Sequence, residues 1–135
     1  FKNKIRLKKQ YFIFKETIMP YIRFGTNVPV TKSQEQELRE RLGRLIELIP
    51  GKTEKWLMVE IDDSLRLGLG GDSVLPTAMV TLKAFGREQN DECYDALTKA
   101  ICEAGEIIIG VAPERLYVEY EVTGQWGWNG KNFGR

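Results

Sequence analysis

The sequence predicts an α+β fold in which two repeated βαβ units share one four-stranded sheet, with two helices on one face. Three observations lead to this prediction. Two amphipathic helical patterns recur at an offset of 59 residues, an alternating strand pattern follows each of them, and a further strand pattern precedes each of them. Because each crossover helix lies on the same side of the shared sheet, the other side is left uncovered.

The first helix is predicted from a capping box, Thr31-Lys32-Ser33-Gln34, in which the first and last side chains satisfy backbone N–H groups at the helix start. Pro50-Gly51 ends the pattern. Apolar residues follow the box at helical spacing: Leu38, Leu42, Leu45, Ile46 and Ile49.

The second helix is predicted to begin at Asn90-Asp91-Glu92, which supplies a cap and an acidic first turn, and to stop at Gly110 before Pro113. Its apolar stripe consists of Leu97, Ile101, Ala104 and Ile108. Each of these residues lies 59 positions after an apolar residue of the first helix, so the chain contains an internal repeat.

Strands are predicted before the helices at Tyr21 to Val28 and Thr77 to Phe85, and after them from Leu57 and from Leu116. The alternation turns the following residues towards the helices: Leu57, Val59, Ile61, Leu116, Val118, Tyr120 and Val122. Tyr117 and Glu119 then lie on the opposite face. Since that face has no helices to cover it, we expect an oligomer.

Composition narrows the classes of function. A chain of 135 residues with 42% hydrophobic residues forms one core, and its net charge of +1 argues against a dedicated nucleic-acid binder. There is no histidine, so acid–base chemistry must use other groups. Cys93 and Cys102 are too few and too far apart for a CxxC pair or a zinc site, and no apolar run reaches membrane-span length. We therefore expect a cytoplasmic protein; secretion without a signal peptide is left open.

Residues 1–19 are predicted to be a non-native or untranslated leader plus an initiator methionine. Residues 1–18 hold six basic residues against Glu16 alone, and most of their residue types have A/T-rich codons. Lys15-Glu16 requires an all-purine hexamer shortly before Met19, the arrangement of a bacterial ribosome-binding site. The alternative is a genuine basic arm that touches membrane or nucleic acid. If Met19 is the start, its removal makes Pro20 the N-terminus of a domain that covers residues 20–135.

Six pieces of sequence in register carry a family resemblance: Pro20 after a methionine, Thr26-Asn27-Val28-Pro29, Gly51-Lys52, Gly70-Gly71-Asp72-Ser73, Pro113 to Tyr117, and Gly127-Trp128-Asn129-Gly130 through Phe133. From Met19 to Gly134, the chain resembles the macrophage migration inhibitory factor family of the tautomerase superfamily. The resemblance implies the tautomerase fold, a homotrimer with active sites at subunit interfaces, phenylpyruvate tautomerase activity and no cofactor.

The resemblance also implies roles for individual residues. Pro20 matches the N-terminal proline base, Lys52 matches the lysine that pairs with the substrate carboxylate, and Tyr117 matches a tyrosine that reaches in from a neighbouring subunit. Phe85 falls where the family offers a backbone N–H to that carboxylate. The pocket wall is matched by Trp56, Trp126, Trp128 and Phe133. Glu119 departs from the asparagine of the best-known member, and its carboxylate is expected to lower the affinity for an anionic substrate.

Each of these residues also has a plain structural reading. Pro20 could simply open an edge strand, Lys52 could balance a helix dipole, and Tyr117 could pack in a subunit contact. Gly68-Leu69-Gly70-Gly71 is predicted to be a turn, because no GK[ST] follows it and no helix begins there.

Two hypotheses on function follow. The first is an enzyme that interconverts the keto and enol forms of phenylpyruvate-like α-keto acids, with Pro20 as general base. A free N-terminal amine has a pKa of about 8 in water, and burial beside the Lys52 charge is expected to depress the pKa towards neutrality. The second is a cytokine-like or binding protein of the same family in which the tautomerase pocket is vestigial. Glu119 keeps the second hypothesis open, as do Trp56 and Trp126, which are larger than the residues that the resemblance implies at these pocket positions.

Overall fold

The structure is a computed structural model that describes residues 20–51, 54–86 and 91–134. The predicted leader, residues 1–19, lies outside the described residues, as do the candidate Lys52 and the predicted cap Asn90. Six elements form the body of the domain: β1 (Tyr21–Thr26), α1 (Lys32–Leu45), β2 (Met58–Asp62), β3 (Ala78–Phe85), α2 (Asp91–Ile109) and β4 (Leu116–Thr123).

The sheet confirms the predicted pair of βαβ units. Its strand order is β2-β1-β3-β4; β1 is parallel to β2, β3 is parallel to β4, and the two central strands are antiparallel. Each helix therefore joins two neighbouring parallel strands of its own half. The register places Tyr21 opposite both Met58 and Lys83, so the first residue of β1 lies near the end of β3.

The first helix begins as predicted and ends earlier than predicted. The hydroxyl of Thr31 accepts a hydrogen bond from the N–H of Gln34 at 3.2 Å, and the side chain of Gln34 accepts one from the N–H of Thr31 at 2.9 Å. Helix α1 stops at Leu45, and residues Ile46–Leu48 continue as a single 3₁₀ turn. Such tightening of the last turn is common, and it explains why the apolar pattern extends beyond the α-helix.

The second helix ends at the glycine that the sequence indicated. Gly110 adopts a left-handed conformation with φ of 70°, which a residue without a Cβ reaches at little cost. Its N–H donates to the carbonyl of Glu106, and the N–H of Val111 donates to the carbonyl of Gly105, both at 3.1 Å. The helix end is thus closed by backbone groups.

The hydrophobic core lies between the helices and one face of the sheet. Leu38 and Leu42 of α1 and their repeat partners Leu97 and Ile101 of α2 are all fully buried. They pack against side chains that alternate along the two central strands: Ile22, Phe24, Val80 and Leu82. Equal burial at these two repeat-related pairs shows that both helices contribute matching positions to one shared core.

The other face of the sheet carries charged and polar side chains together with exposed apolar ones. Arg23 donates to Asp62 at 2.7 Å, and Lys83 pairs with Glu121 at 3.4 Å. Met58 is 68% exposed on the same face. No helix of the described chain covers this side, as the repeat predicted.

The C-terminal segment contains two strands that the sequence analysis did not assign. It forms a hairpin of two short strands, β5 (Trp126–Trp128) and β6 (Lys131–Phe133), which make a separate two-stranded sheet. Asn129 and Gly130 turn between them with φ of 50° and 76°. Two consecutive positive φ values are typical of the tight turns that Asn-Gly favours in hairpins.

The glycine-rich loop before β3 is a turn, as predicted. Leu69 and Asp72 exchange two backbone hydrogen bonds of 2.9 and 3.0 Å around Gly70 and Gly71, which both have positive φ. Among the described residues, no helix combines the length and apolar character that crossing a bilayer requires.

Candidate active site

Pro20 lies at the first described position of the chain and is fully buried. It precedes β1 directly, and its carbonyl oxygen accepts a hydrogen bond of 3.0 Å from the N–H of Met58 in β2. The β1–β3 register places Pro20 beside the end of β3, at the level of Ala84 and Phe85. One end of the sheet therefore surrounds Pro20 with backbone from two neighbouring strands.

Phe85 is the last residue of β3 and is half-buried. It pairs with Thr123 of β4, and the following N–H, that of Gly86, donates to the carbonyl of Thr123 at 3.0 Å. The structure thus brings Phe85 to the same end of the sheet as Pro20. Its proposed role as a backbone N–H donor to a substrate carboxylate stays a prediction.

An aromatic wall forms near this end of the sheet. Trp56 belongs to the 3₁₀ turn Glu54–Trp56, which leads directly into β2, and its ring meets that of Trp128 edge to face with centroids 5.2 Å apart. Trp128 in turn lies 6.2 Å from Phe133 in a tilted arrangement. Trp126 pairs with Phe133 across the hairpin. The four predicted wall residues therefore lie in one region of the molecule.

The pocket itself is open in a single chain. The hairpin carries a shallow recess, lined by residues 127–132, which opens widely to solvent. Apolar rings next to a recess suit a flat, apolar substrate group. An enclosed cavity around Pro20 would need surfaces in addition to those of the hairpin.

Lys52 lies outside the described residues, so its distance from Pro20 is not defined. Its neighbour Gly51 adopts a left-handed conformation with φ of 81° after the first helix. The chain then returns through the turn that contains Trp56 towards Met58, which binds Pro20. In the sequence, Lys52 lies four residues before Trp56.

Tyr117 and Glu119 are not brought to Pro20 within one chain. Tyr117 pairs with Met79, which pairs with Gly25, five residues beyond Pro20 along β1. At a rise of about 3.3 Å per residue, this places Tyr117 about 16 Å along the sheet from Pro20. Tyr117 is 59% exposed on the open face. This placement fits a residue that serves the site of a neighbouring subunit.

Glu119 is exposed on the open face, two residues beyond Tyr117. Among the described residues, the salt bridges of this face join Arg23 to Glu60 and Asp62, and Lys83 to Glu121, and none includes Glu119. Its charge is therefore not offset by a neighbouring cation of the described chain.

A polar network beside Pro20 was not found from the sequence. The hydroxyl of Tyr21 donates to a carboxylate oxygen of Glu60, and the guanidinium of Arg23 lies 4.0 Å from the same carboxylate. The hydrogen bond to Glu60 and partial burial raise the pKa of Tyr21 above its usual value. The network fixes β1 against β2 on the open face. Tyr21 and Arg23 lie 39 and 37 positions before Glu60, so no local sequence pattern indicates this network.

A second set of contacts missed from the sequence joins the starts of β3 and β4. The guanidinium of Arg115 donates to the hydroxyl of Thr77 at 2.6 Å and to the carbonyl of Asp72 at 2.9 Å. The side chain of Asn27 holds the same loop by donating to the carbonyl of Leu75 and accepting from the N–H of Thr77. These contacts fix the start of β4 at Leu116, one residue before Tyr117.

The part of the chain that the structure describes contains no evident metal-binding site. None of its clusters contains three or more side chains of the histidine, cysteine, aspartate or glutamate type that could hold a metal ion. The groups available for chemistry are instead Pro20, backbone N–H groups at the ends of strands, and aromatic rings. Such a set can bind a flat anion and move a proton, provided that the nitrogen of Pro20 is a free amine.

The fold and this arrangement define a member of the tautomerase superfamily. The family model described as "Macrophage migration inhibitory factor (MIF)" matches residues 19–134, and the chain therefore belongs to the macrophage migration inhibitory factor family. No significant match was found among curated proteins.

Solved structures agree with this membership. MIF2 of Leishmania major is 28% identical with a TM-score of 0.78, and the match covers 85% of this chain and 97% of that one. The homologue from Prochlorococcus marinus is also 28% identical, with a TM-score of 0.68 and coverage of 84% and 99%. A more distant match, 17% identical with a TM-score of 0.71 and coverage of 82% and 92%, is a protein inactivated by 2-oxo-3-pentynoate. That last likeness supports the fold alone.

Proposed function

We propose that this protein is a keto–enol tautomerase of phenylpyruvate-like α-keto acids, in which the amine of Pro20 is the general base once Pro20 is the N-terminus. The observation that carries the proposal is the position of Pro20: it is fully buried at the end of the sheet near which Trp56 and Trp128 lie. Burial disfavours the protonated form of an amine, so the amine of Pro20 is proposed to be mainly uncharged.

The proposed reaction moves one proton. The uncharged amine of Pro20 takes a proton from the carbon next to the keto group, and the electron pair of that C–H bond forms the C=C bond of an enolate. The carbonyl oxygen receives the resulting negative charge, and the protonated Pro20 then delivers the same proton to that oxygen, which gives the enol and restores the uncharged amine. Lys52 and the backbone N–H of Phe85 are proposed to bind the carboxylate, with Tyr117 as a polar partner.

We also propose that the active unit is a homotrimer. Tyr117 lies too far from Pro20 to act in its own chain, and the face that carries it is uncovered. Sedimentation at working concentration should show three copies. A monomer would remove any site that needs residues of two subunits.

The partner proposed for this site is a small α-keto acid or its enol, with no nucleic acid, membrane or cofactor. We propose a cytoplasmic location, on the sequence evidence given above. Residues 1–19 are proposed to be a leader that the mature protein lacks.

The test compares two forms of the protein, each with its N-terminus verified by mass spectrometry. In the 135-residue chain the nitrogen of Pro20 is a tertiary amide, which has no basic lone pair. We expect phenylpyruvate tautomerisation to be nearly absent in that form and to appear in the form that begins at Pro20. A matched control begins at the same position with Pro20→Ala. Equal activity from the verified 135-residue chain would show that Pro20 is not the base.

A chemical probe tests the same nitrogen without turnover. 2-Oxo-3-pentynoate is an α-keto acid with an electrophilic alkyne, which a free amine can attack. We expect it to add to Pro20 in the form that begins there and to leave Pro20 of the 135-residue chain unmodified. Addition to other residues alone would contradict an accessible, basic amine.

A second candidate function is a cytokine-like or binding role with a vestigial pocket. The observation that favours it is Glu119, an exposed carboxylate without a cationic partner among the described residues, on the face that Tyr117 shares. It would repel an anionic substrate. A trimer that begins at Pro20, binds a pocket-directed inhibitor and shows no turnover of phenylpyruvate would favour this role over catalysis.

A further inference from the structure

The C-terminal hairpin needs a contact with the rest of the domain to keep one position. Its strands β5 and β6 contain three residues each and belong to a sheet of their own. A two-stranded hairpin of this size is marginally stable by itself in water. It joins β4 through Gly124, and beside this junction the N–H of Gln125 donates to the hydroxyl of Thr123 at 3.2 Å.

An aromatic contact joins the hairpin to the body of the domain. The rings of Trp56 and Trp128 meet at an interplanar angle of 89° with centroids 5.2 Å apart, the edge-to-face geometry that aromatic pairs prefer. The ammonium of Lys55 lies over the Trp56 ring, 5.3 Å from its centroid. Trp56 itself is anchored, because it lies two residues before Met58, which binds the carbonyl of Pro20.

Trp128 contacts Trp56 and Phe133 and is still 45% exposed. The position of its free surface relative to Pro20 therefore depends on the angle at which the hairpin is held. Trp56 lies two residues before Met58, which bonds to the carbonyl of Pro20, whereas Trp128 belongs to the separate two-stranded hairpin.

We propose that Trp56 is a positioning residue that latches the hairpin, so that Trp128 offers its exposed surface to the aromatic group of the substrate at a fixed distance from Pro20. This inference rests on the proposed function. In this proposal, the preference for aromatic over small aliphatic α-keto acids depends on Trp56, which acts by positioning Trp128. Small substrates do not reach the hairpin and do not depend on the latch.

The kinetic test compares Trp56→Leu with Trp56→Phe in the form that begins at Pro20, with phenylpyruvate and 2-oxobutanoate as substrates. Trp56→Leu should raise KM for phenylpyruvate about three- to tenfold, with kcat nearly unchanged. KM for 2-oxobutanoate should stay the same. Trp56→Phe keeps a ring edge and should recover most of the affinity. Ile107→Ala, at a 66% exposed position of α2, is the control for an unrelated apolar substitution. An equal rise in KM for both substrates would overturn the proposal.

A second measurement needs no substrate. Amide hydrogen exchange of residues 126–133 should be faster in Trp56→Leu than in the parent protein, while exchange in the core strand β3 stays unchanged. If both substrates are inert but exchange of the hairpin rises, the proposed function fails and the latch stands. If exchange of the hairpin is unaltered, the latch is wrong whatever the activity.

Discussion

The carbonyl of Pro20 and the N–H of Met58 form a hydrogen bond of 3.0 Å that joins the candidate base to the neighbouring strand. This bond holds Pro20 through its carbonyl, not through its nitrogen. The bond can therefore form whether the nitrogen of Pro20 is an amide or a free amine.

We expect that the 135-residue chain and the form that begins at Pro20 share one fold, although only the second is active. The bond to Met58 persists in both forms, so the free energy of unfolding should differ by less than about 1 kcal/mol. Far-ultraviolet circular dichroism and denaturant titration measure this. A large loss of stability in the shorter form would mean that the leader contributes to the fold.

Replacing Lys52 by alanine should weaken substrate affinity more than turnover. An ion pair to a carboxylate that does not react is similar in the ground state and the transition state, so its loss should raise KM about tenfold or more and change kcat little. Lys32→Ala, at the exposed start of α1, is the matched control. A fall confined to kcat would contradict the binding role of Lys52.

Replacing Glu119 by glutamine should improve affinity for α-keto acids, by about two- to fivefold, because it removes a like charge while the shape is kept. Glu121→Gln makes the same change two residues further along β4, where the carboxylate is already paired with Lys83. The two KM values, measured at low ionic strength, show whether position or net charge matters. If Glu119→Gln has no effect, Glu119 does not face the pocket.

Replacing Tyr120 by phenylalanine should destabilise the protein by about 1 kcal/mol at neutral pH. The hydroxyl of Tyr120 bonds to that of Thr98 at 2.7 Å, and its ring stacks on Tyr94 with centroids 4.2 Å apart. Tyr120→Phe removes the hydrogen bond to Thr98 and keeps the stacking of the ring on Tyr94.

The same substitution should change the dependence of stability on pH. Burial raises the pKa of Tyr120, and the nearby Tyr94 and thiols of Cys93 and Cys102 add to the rise, while the bond to Thr98 opposes it. The folded protein thus holds this proton more tightly than the unfolded chain. The contribution of protonated Tyr120 to the free energy of unfolding is fully present below the usual tyrosine pKa of about 10 and is lost as the pH rises above it. Tyr120→Phe should therefore approach the parent protein in stability above about pH 10.

The parts of the fold that could be predicted are those with local or repeated signals. The capping box at Thr31, the stop at Gly110 and the turn around Gly70 each need only a few neighbouring residues. The 59-residue repeat then gave the two βαβ units of one four-stranded sheet, because a helical crossover returns the chain to a parallel strand of the same sheet. The antiparallel pairing of β1 with β3 was not predicted.

The parts that escaped prediction depend on long-range contacts, with one exception. No local pattern links Arg115 to Thr77, 38 residues earlier, or Tyr21 to Glu60. The exception is the hairpin, since Asn129-Gly130 between two short runs with aromatic residues is a recognisable hairpin signal. The candidate site was predicted residue by residue from a resemblance. The structure places Pro20, Phe85 and the aromatic wall in one region, but the roles of Lys52, Tyr117 and Glu119 depend on geometry beyond one described chain.

The internal repeat has a consequence for the proposed chemistry. The position 59 residues after Pro20 is Met79, which lies inside β3 and pairs with strands on both sides. Duplication can copy helices, strands and core residues, but an amino terminus occurs once in a chain. The two halves therefore contribute equally to the fold, but only the first can carry the catalytic amine. A tandem fusion of two such domains would gain a second fold of the same kind without a second base.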